Sequence, residues 1–141
     1  MGLLATDITP LQSVSPLIPT SKDVVTKVFQ VARTESTATV KMILPADASI
    51  IEISKFGATN SDAGTSSTLT ITVANNTGTL STGTVDLLTT GTTTSHIQMS
   101  NLPNLQAVPA AGDIKISAQV VEVGTASTVG GPWYIKVLYV R

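Results

Sequence analysis

The chain has 141 residues, with 8 basic and 9 acidic side chains, one histidine and no cysteine. That length suits one domain with a core of its own. A formal net charge of −1 gives no basic footprint for nucleic acid, and the missing thiols exclude disulfides, cysteine-ligated zinc and thiol catalysis.

Only 12% of residues are charged, against about a quarter in ordinary soluble domains. With a mean hydropathy of +0.32, this predicts a surface that is largely covered, most simply by other copies of the chain. The N-terminus has neither a basic region nor a long apolar one, so no signal peptide is expected. No stretch approaches the ~20 apolar residues of a membrane helix, so no membrane partner is expected either.

Residues 1–23, "MGLLATDITPLQSVSPLIPTSKD", read as an extended arm. Pro10, Pro16 and Pro19 each fix φ and remove a backbone donor, which argues against both a continuous helix and a central strand. Yet Leu3, Leu4, Ile8, Leu11, Val14, Leu17 and Ile18 are too apolar for a free linker. The arm is expected to lie on a surface: its own domain, an adjacent copy or another protein. Each of its leucines, fully covered, would contribute roughly 1.5–3 kcal/mol as an upper bound.

From Val24 onward the apolar residues alternate with polar ones, the period of a strand with one buried face. "VVTKVFQVAR" sets Val25, Lys27, Phe29 and Val31 against Val24, Thr26, Val28 and Gln30. "ATVKMIL" and "ASIIEISKFG" follow. "STLTITV" places Leu69, Ile71 and Val73 on one face and threonines on the other. The Thr-rich stretch "NNTGTLSTGTVDLLTTGTTTS" fits a solvent-facing strand or a long loop, and its Thr-Gly pairs keep no fixed period, so no solenoid is expected. "TVDLL", "HIQMS" and "LQAV" read as short strands. "DIKISAQVVEV" turns Ile114, Ile116, Ala118 and Val120 inward.

The last strand, "WYIKVLYV", is apolar on both faces. Trp133, Ile135, Val137 and Tyr139 share one, and Tyr134, Leu138 and Val140 share the other with Lys136. Such a strand is expected to be covered on both sides, by the core on one and by the arm or a neighbouring copy on the other. Turns rich in Gly, Pro, Asn, Asp and Ser separate these runs. The expected fold is therefore an all-β, antiparallel, jelly-roll-like sandwich of about eight strands (residues 24–141) preceded by the arm.

Chemistry is sparse. His96 is the sole histidine, there is no nucleophile-elbow motif around any serine, and no phosphate-cradling glycine loop. "TNSDAG", with Asn60 and Asp62, contains half the pattern of a calcium loop and lacks the closing glutamate, so it reads as a turn. Asp47, Asp62 and Asp113 sit in turns, where Asp caps backbone amides. Phe29, Phe56, Trp133, Tyr134 and Tyr139 mostly fall at alternating strand positions, the pattern of core or subunit packing. No catalytic, cofactor or metal residues are expected.

The segments "ILPADASIIEISKFGATNSDAGTSSTLTITV", "GDIKISAQVVEVGTAS" and "GGPWYIKVLYVR" resemble the small β-sandwich decoration (cement) proteins of tailed-bacteriophage capsids, over residues 43–141. The resemblance implies a non-enzymatic protein on the outer surface of the virion, made in the host cytoplasm. It would bind the major capsid protein and hold neighbouring capsomers together. It also implies a homo-oligomer, a trimer first and a dimer second. The residues expected at capsid or subunit contacts are Leu3, Leu4, Ile8, Leu11 and Leu17 of the arm, with Tyr134 and Leu138 of the last strand. The alternatives are a head-fibre or tail module that binds host glycans, and a bacterial surface module.

Overall fold

The computed structural model describes residues 23–101, 103, 105 and 112–141. The arm up to residue 22 lies outside the described residues, and with it Leu3, Leu4, Ile8, Leu11 and Leu17. Eight strands follow in chain order: β1 (Val24–Val31), β2 (Thr39–Leu44), β3 (Ser49–Gly57), β4 (Ser66–Asn75), β5 (Gly78–Asp86), β6 (Ser95–His96), β7 (Ile114–Val123) and β8 (Trp133–Val140). One short helix, α1 (Leu87–Thr90), stands between β5 and β6.

The strands form two four-stranded antiparallel sheets, sheet A in the order β1-β8-β3-β6 and sheet B in the order β2-β7-β4-β5. Every connection but one crosses from one sheet to the other. The exception is the β4–β5 hairpin, where the Asn75 carboxamide oxygen accepts from the Thr77 amide at 2.9 Å and Gly78 takes a φ of 140°. Two interleaved Greek keys of this order are a jelly roll, as expected.

Alternation builds the core. Ile114, Ile116, Ala118 and Val120 of β7 and Leu69, Ile71 and Val73 of β4 meet Trp133, Ile135, Val137 and Tyr139 of β8, all buried. Trp133 packs so closely on Gly57 that a Cβ there would lie 2.5 Å from its ring. Its indole N–H donates to the Thr59 carbonyl at 3.1 Å.

Three sequence expectations change. "TVDLL" is strand only to Asp86; the chain then turns into α1, because the Asp86 carboxylate accepts from the Leu88 amide at 2.8 Å, an N-cap. Of "HIQMS", only His96 lies in a strand, β6, which pairs with β3 through Ser95 and His96; the Ile97 amide donates to the Ile53 carbonyl at 2.8 Å, and Met99 adds an isolated bridge to Gly83. Of "LQAV", only Leu105 is described: it is buried, in helical backbone rather than in a strand.

Candidate interaction surfaces and loop contacts

The topology sorts the connections into two ends. At one end lie the β1–β2, β3–β4, β5–β6 and β7–β8 connections. At the other, β1 begins and β8 finishes side by side, since Val24 pairs with Val140.

The first end is braced by hydrogen bonds between loops distant in sequence. The Asp62 carboxylate accepts from the Thr128 amide (2.8 Å), the Thr128 hydroxyl (2.7 Å) and the Val129 amide (2.8 Å). The Val129 amide foremost, then Thr128, holds the Asp62 carboxyl below the usual carboxylate range. Asp62 is thus the amide-capping turn residue its sequence indicates, but the amides belong to another loop. Glu122 accepts from the Ser127 amide at 3.0 Å and from the Ser127 hydroxyl. Burial pushes the Glu122 carboxyl up; the Ser127 bonds, Ser61 and the Arg33 charge outweigh this and leave it lowered.

An open pocket of about 300 Å³ lies beside these loops, lined by Arg33, Ser36, Glu122 and Ser127 among others. Its charged groups are used in bracing: Arg33 Nη1 donates to the Ser127 carbonyl at 2.5 Å.

Lys55 is fully buried at the same end. Its ammonium donates to the carbonyls of Thr90 and of Gly91, the latter at 3.0 Å. These are carbonyls at the C-terminal end of α1, where a cation is favourable. Burial lowers the Lys55 pKa. His96 is exposed on β6 opposite Ser54. Among the described residues no three His, Asp or Glu side chains are grouped to hold a metal ion.

The outer faces of the two sheets differ. On sheet B the central strand β4 presents Ser66, Thr68, Thr70 and Thr72. Thr70 lies opposite Thr84 and Gln119, and Thr72 opposite Thr82 and Ser117. Exposed apolar residues on this face are set at its margins: Val40 and Ile43 on the edge strand β2, Val121 and Val123 at the end of β7.

On sheet A the central strand β8 presents Tyr134, Lys136, Leu138 and Val140, each half-buried. The Tyr134 ring stacks on Phe56 of β3, with centroids 5.3 Å apart. Beside them stand Val24 (65% exposed) and Val28 (50%) of β1 and Ile51 (47%) of β3. One ion pair crosses the face, Lys136 to Glu52 at 3.9 Å. The structure therefore brings Tyr134 and Leu138 together on one apolar face with Phe56, read from the sequence for core or subunit packing, and with Val24, Val28 and Ile51, which the sequence reading did not place at a contact. For Val24 and Val28 the signal was available, since they alternate with Phe29 and Val31. For Ile51 it was not: a bulge lets Ile50 and Ile53 both turn inward, with Ile51 and Glu52 outside between them.

The chain matches no protein-family model and no curated protein in sequence.

Proposed function

We propose that this chain is a non-enzymatic structural protein of a bacteriophage virion, bound to the outer capsid surface as a decoration protein that holds neighbouring capsomers together. The observation that carries the reading is the apolar outer face of β8, in a chain with only 12% charged residues. A face of that kind marks a protein contact. The resemblance of residues 43–141 to decoration proteins supplies the partner, the major capsid protein. Jelly rolls serve both virion shells and lectins, so the fold supports the class and the surface must select within it.

In this reading the protein is a homo-oligomer on the capsid, and the arm, residues 1–23, helps to anchor it on the capsid or on an adjacent copy. Many weak apolar contacts repeated over symmetric copies resist internal pressure without any single strong bond. No side chain acts chemically, so His96→Ala leaves function intact.

The stacked Phe56–Tyr134 pair favours one second reading, a glycan-binding module of a head fibre or tail, because aromatic faces stack on sugar rings. The test is co-sedimentation of the purified chain with capsids of its own phage that lack it. Saturable binding at a fixed number of copies, together with a higher capsid disruption temperature, is expected. Failure to bind capsids, with retention on host-surface polysaccharide that Tyr134→Ala abolishes, would establish the second reading instead.

A further inference from the structure

We infer that the outer face of sheet A is the seat of a second copy's N-terminal segment, so that copies of this chain are linked by exchanged arms. The inference names the partner for the apolar face described above. It concerns the protein alone in solution and does not depend on the capsid reading.

Three observations converge. The face offers apolar surface to a partner: Val24, Val28, Ile51, Tyr134, Leu138 and Val140 lie together on one side of sheet A, around Lys136, and an apolar sheet face is ordinarily packed against something. The segment that precedes β1 has the matching chemistry. Residues 1–22 contain leucines at 3, 4, 11 and 17 and isoleucines at 8 and 18, with only Asp7 and Lys22 charged. Apolar contact between the two would bury both, with Lys136 of the face keeping Glu52 as its partner.

The third observation favours a neighbour's segment over the chain's own. Asp23 still pairs with Arg141, its amide donating to the Arg141 carbonyl at 3.0 Å and its carbonyl accepting from the Arg141 amide at 3.2 Å. The ladder therefore runs on past Val24 to Asp23, so residues 1–22 join the sandwich at its end, in line with β1. Twenty-two residues can span up to about 70 Å. A single pass along an eight-residue strand needs only about 25 Å. From that end of the sandwich the length is enough to reach and cross another copy's sheet A. Prolines at 10, 16 and 19 lower the ordering cost of such docking.

The test uses the full-length chain and its lack of cysteine. A spin label on Leu11→Cys is placed in an isotopically unlabelled copy, mixed with an isotopically labelled copy that carries no spin label, and paramagnetic broadening is read by NMR. The expected result is broadening of the Tyr134, Leu138 and Val140 amides in the labelled copy, with the Thr70 and Thr72 amides spared. Broadening of these amides only when spin label and isotope are in one chain would show that each segment covers its own sheet and would overturn the inference. Broadening of neither face, or of sheet B, would also overturn it. As a second variant, Leu138→Glu, exposed enough to fold, should reduce the broadening at least several-fold; unchanged broadening would place the segment elsewhere.

Discussion

The outer faces of sheets A and B rest on the same core and are built by the same alternation, yet β8 of one and β4 of the other carry opposite chemistry. On β4, every residue that is not in the core between Ser66 and Thr72 is Ser or Thr. These hydroxyls tolerate water and pair across strands at little cost. On β8 the equivalent positions hold Tyr134, Leu138 and Val140, with Lys136 among them tied to Glu52. The core requires only that one side of each strand be apolar. What stands on the other side is free to vary, so an apolar choice there points to a contact, and the proposed contact lies on sheet A.

The largest disturbance should erase the comparison altogether. Trp133 is fully buried, against Gly57. Trp133→Ala should cost about 3–5 kcal/mol, seen as a lower denaturant midpoint, and both faces should be lost in one transition. If sheet B kept its structure after sheet A had unfolded, the two faces would not share one cooperative core.

Acid should separate the braced loop end from the faces. Asp62 and Glu122 both have lowered carboxyl pKa values. Their contribution is therefore complete above the unfolded values, about 3.9 for Asp and 4.3 for Glu, and is lost as pH falls through the folded ones. Emission from Trp133, the sole tryptophan, should begin to change below about pH 4. Asp62→Asn should blunt that change, while self-association through sheet A, which these carboxylates do not touch, persists down to the same pH.

The smallest effect sharpens the contrast. Lys136 and Glu52 are 3.9 Å apart and more than a third exposed, so Lys136→Met should change stability by less than about 0.5 kcal/mol. The same change extends the apolar face and should strengthen self-association. Weaker association would mean that the ion pair itself makes the contact.

Much of this was legible in the sequence where alternation is strict. The inward sets of β4, β7 and β8 follow from counting by two, as does the apolar second face of β8. Counting by two fails at bulges. Lys55 and Ile53 are both buried with Ile50, a combination that a strict period forbids and that the irregularity between Ile50 and Glu52 permits. Asp86 was read inside a strand because "TVDLL" is apolar enough for one; its cap on Leu88 is a local bond that overrides the pattern. The loop clamp from Asp62 to Thr128 joins residues 66 apart, and no local pattern encodes such a pairing. The stacking of Phe56 on Tyr134 needs the β3–β8 register, which only the fold provides.

One measurement bears most directly on the claim that sheet A carries the contact: sedimentation velocity of the full-length chain beside two matched charge insertions, Leu138→Glu on the outer face of β8 and Thr70→Glu on that of β4. Both sites are half-buried on outer faces and central in their sheets, so the two variants should fold alike. The account predicts an oligomer for the wild-type chain and for Thr70→Glu, and a monomer for Leu138→Glu. A monomeric wild-type chain at high concentration, or an oligomer that survives Leu138→Glu and dissociates with Thr70→Glu, would contradict it.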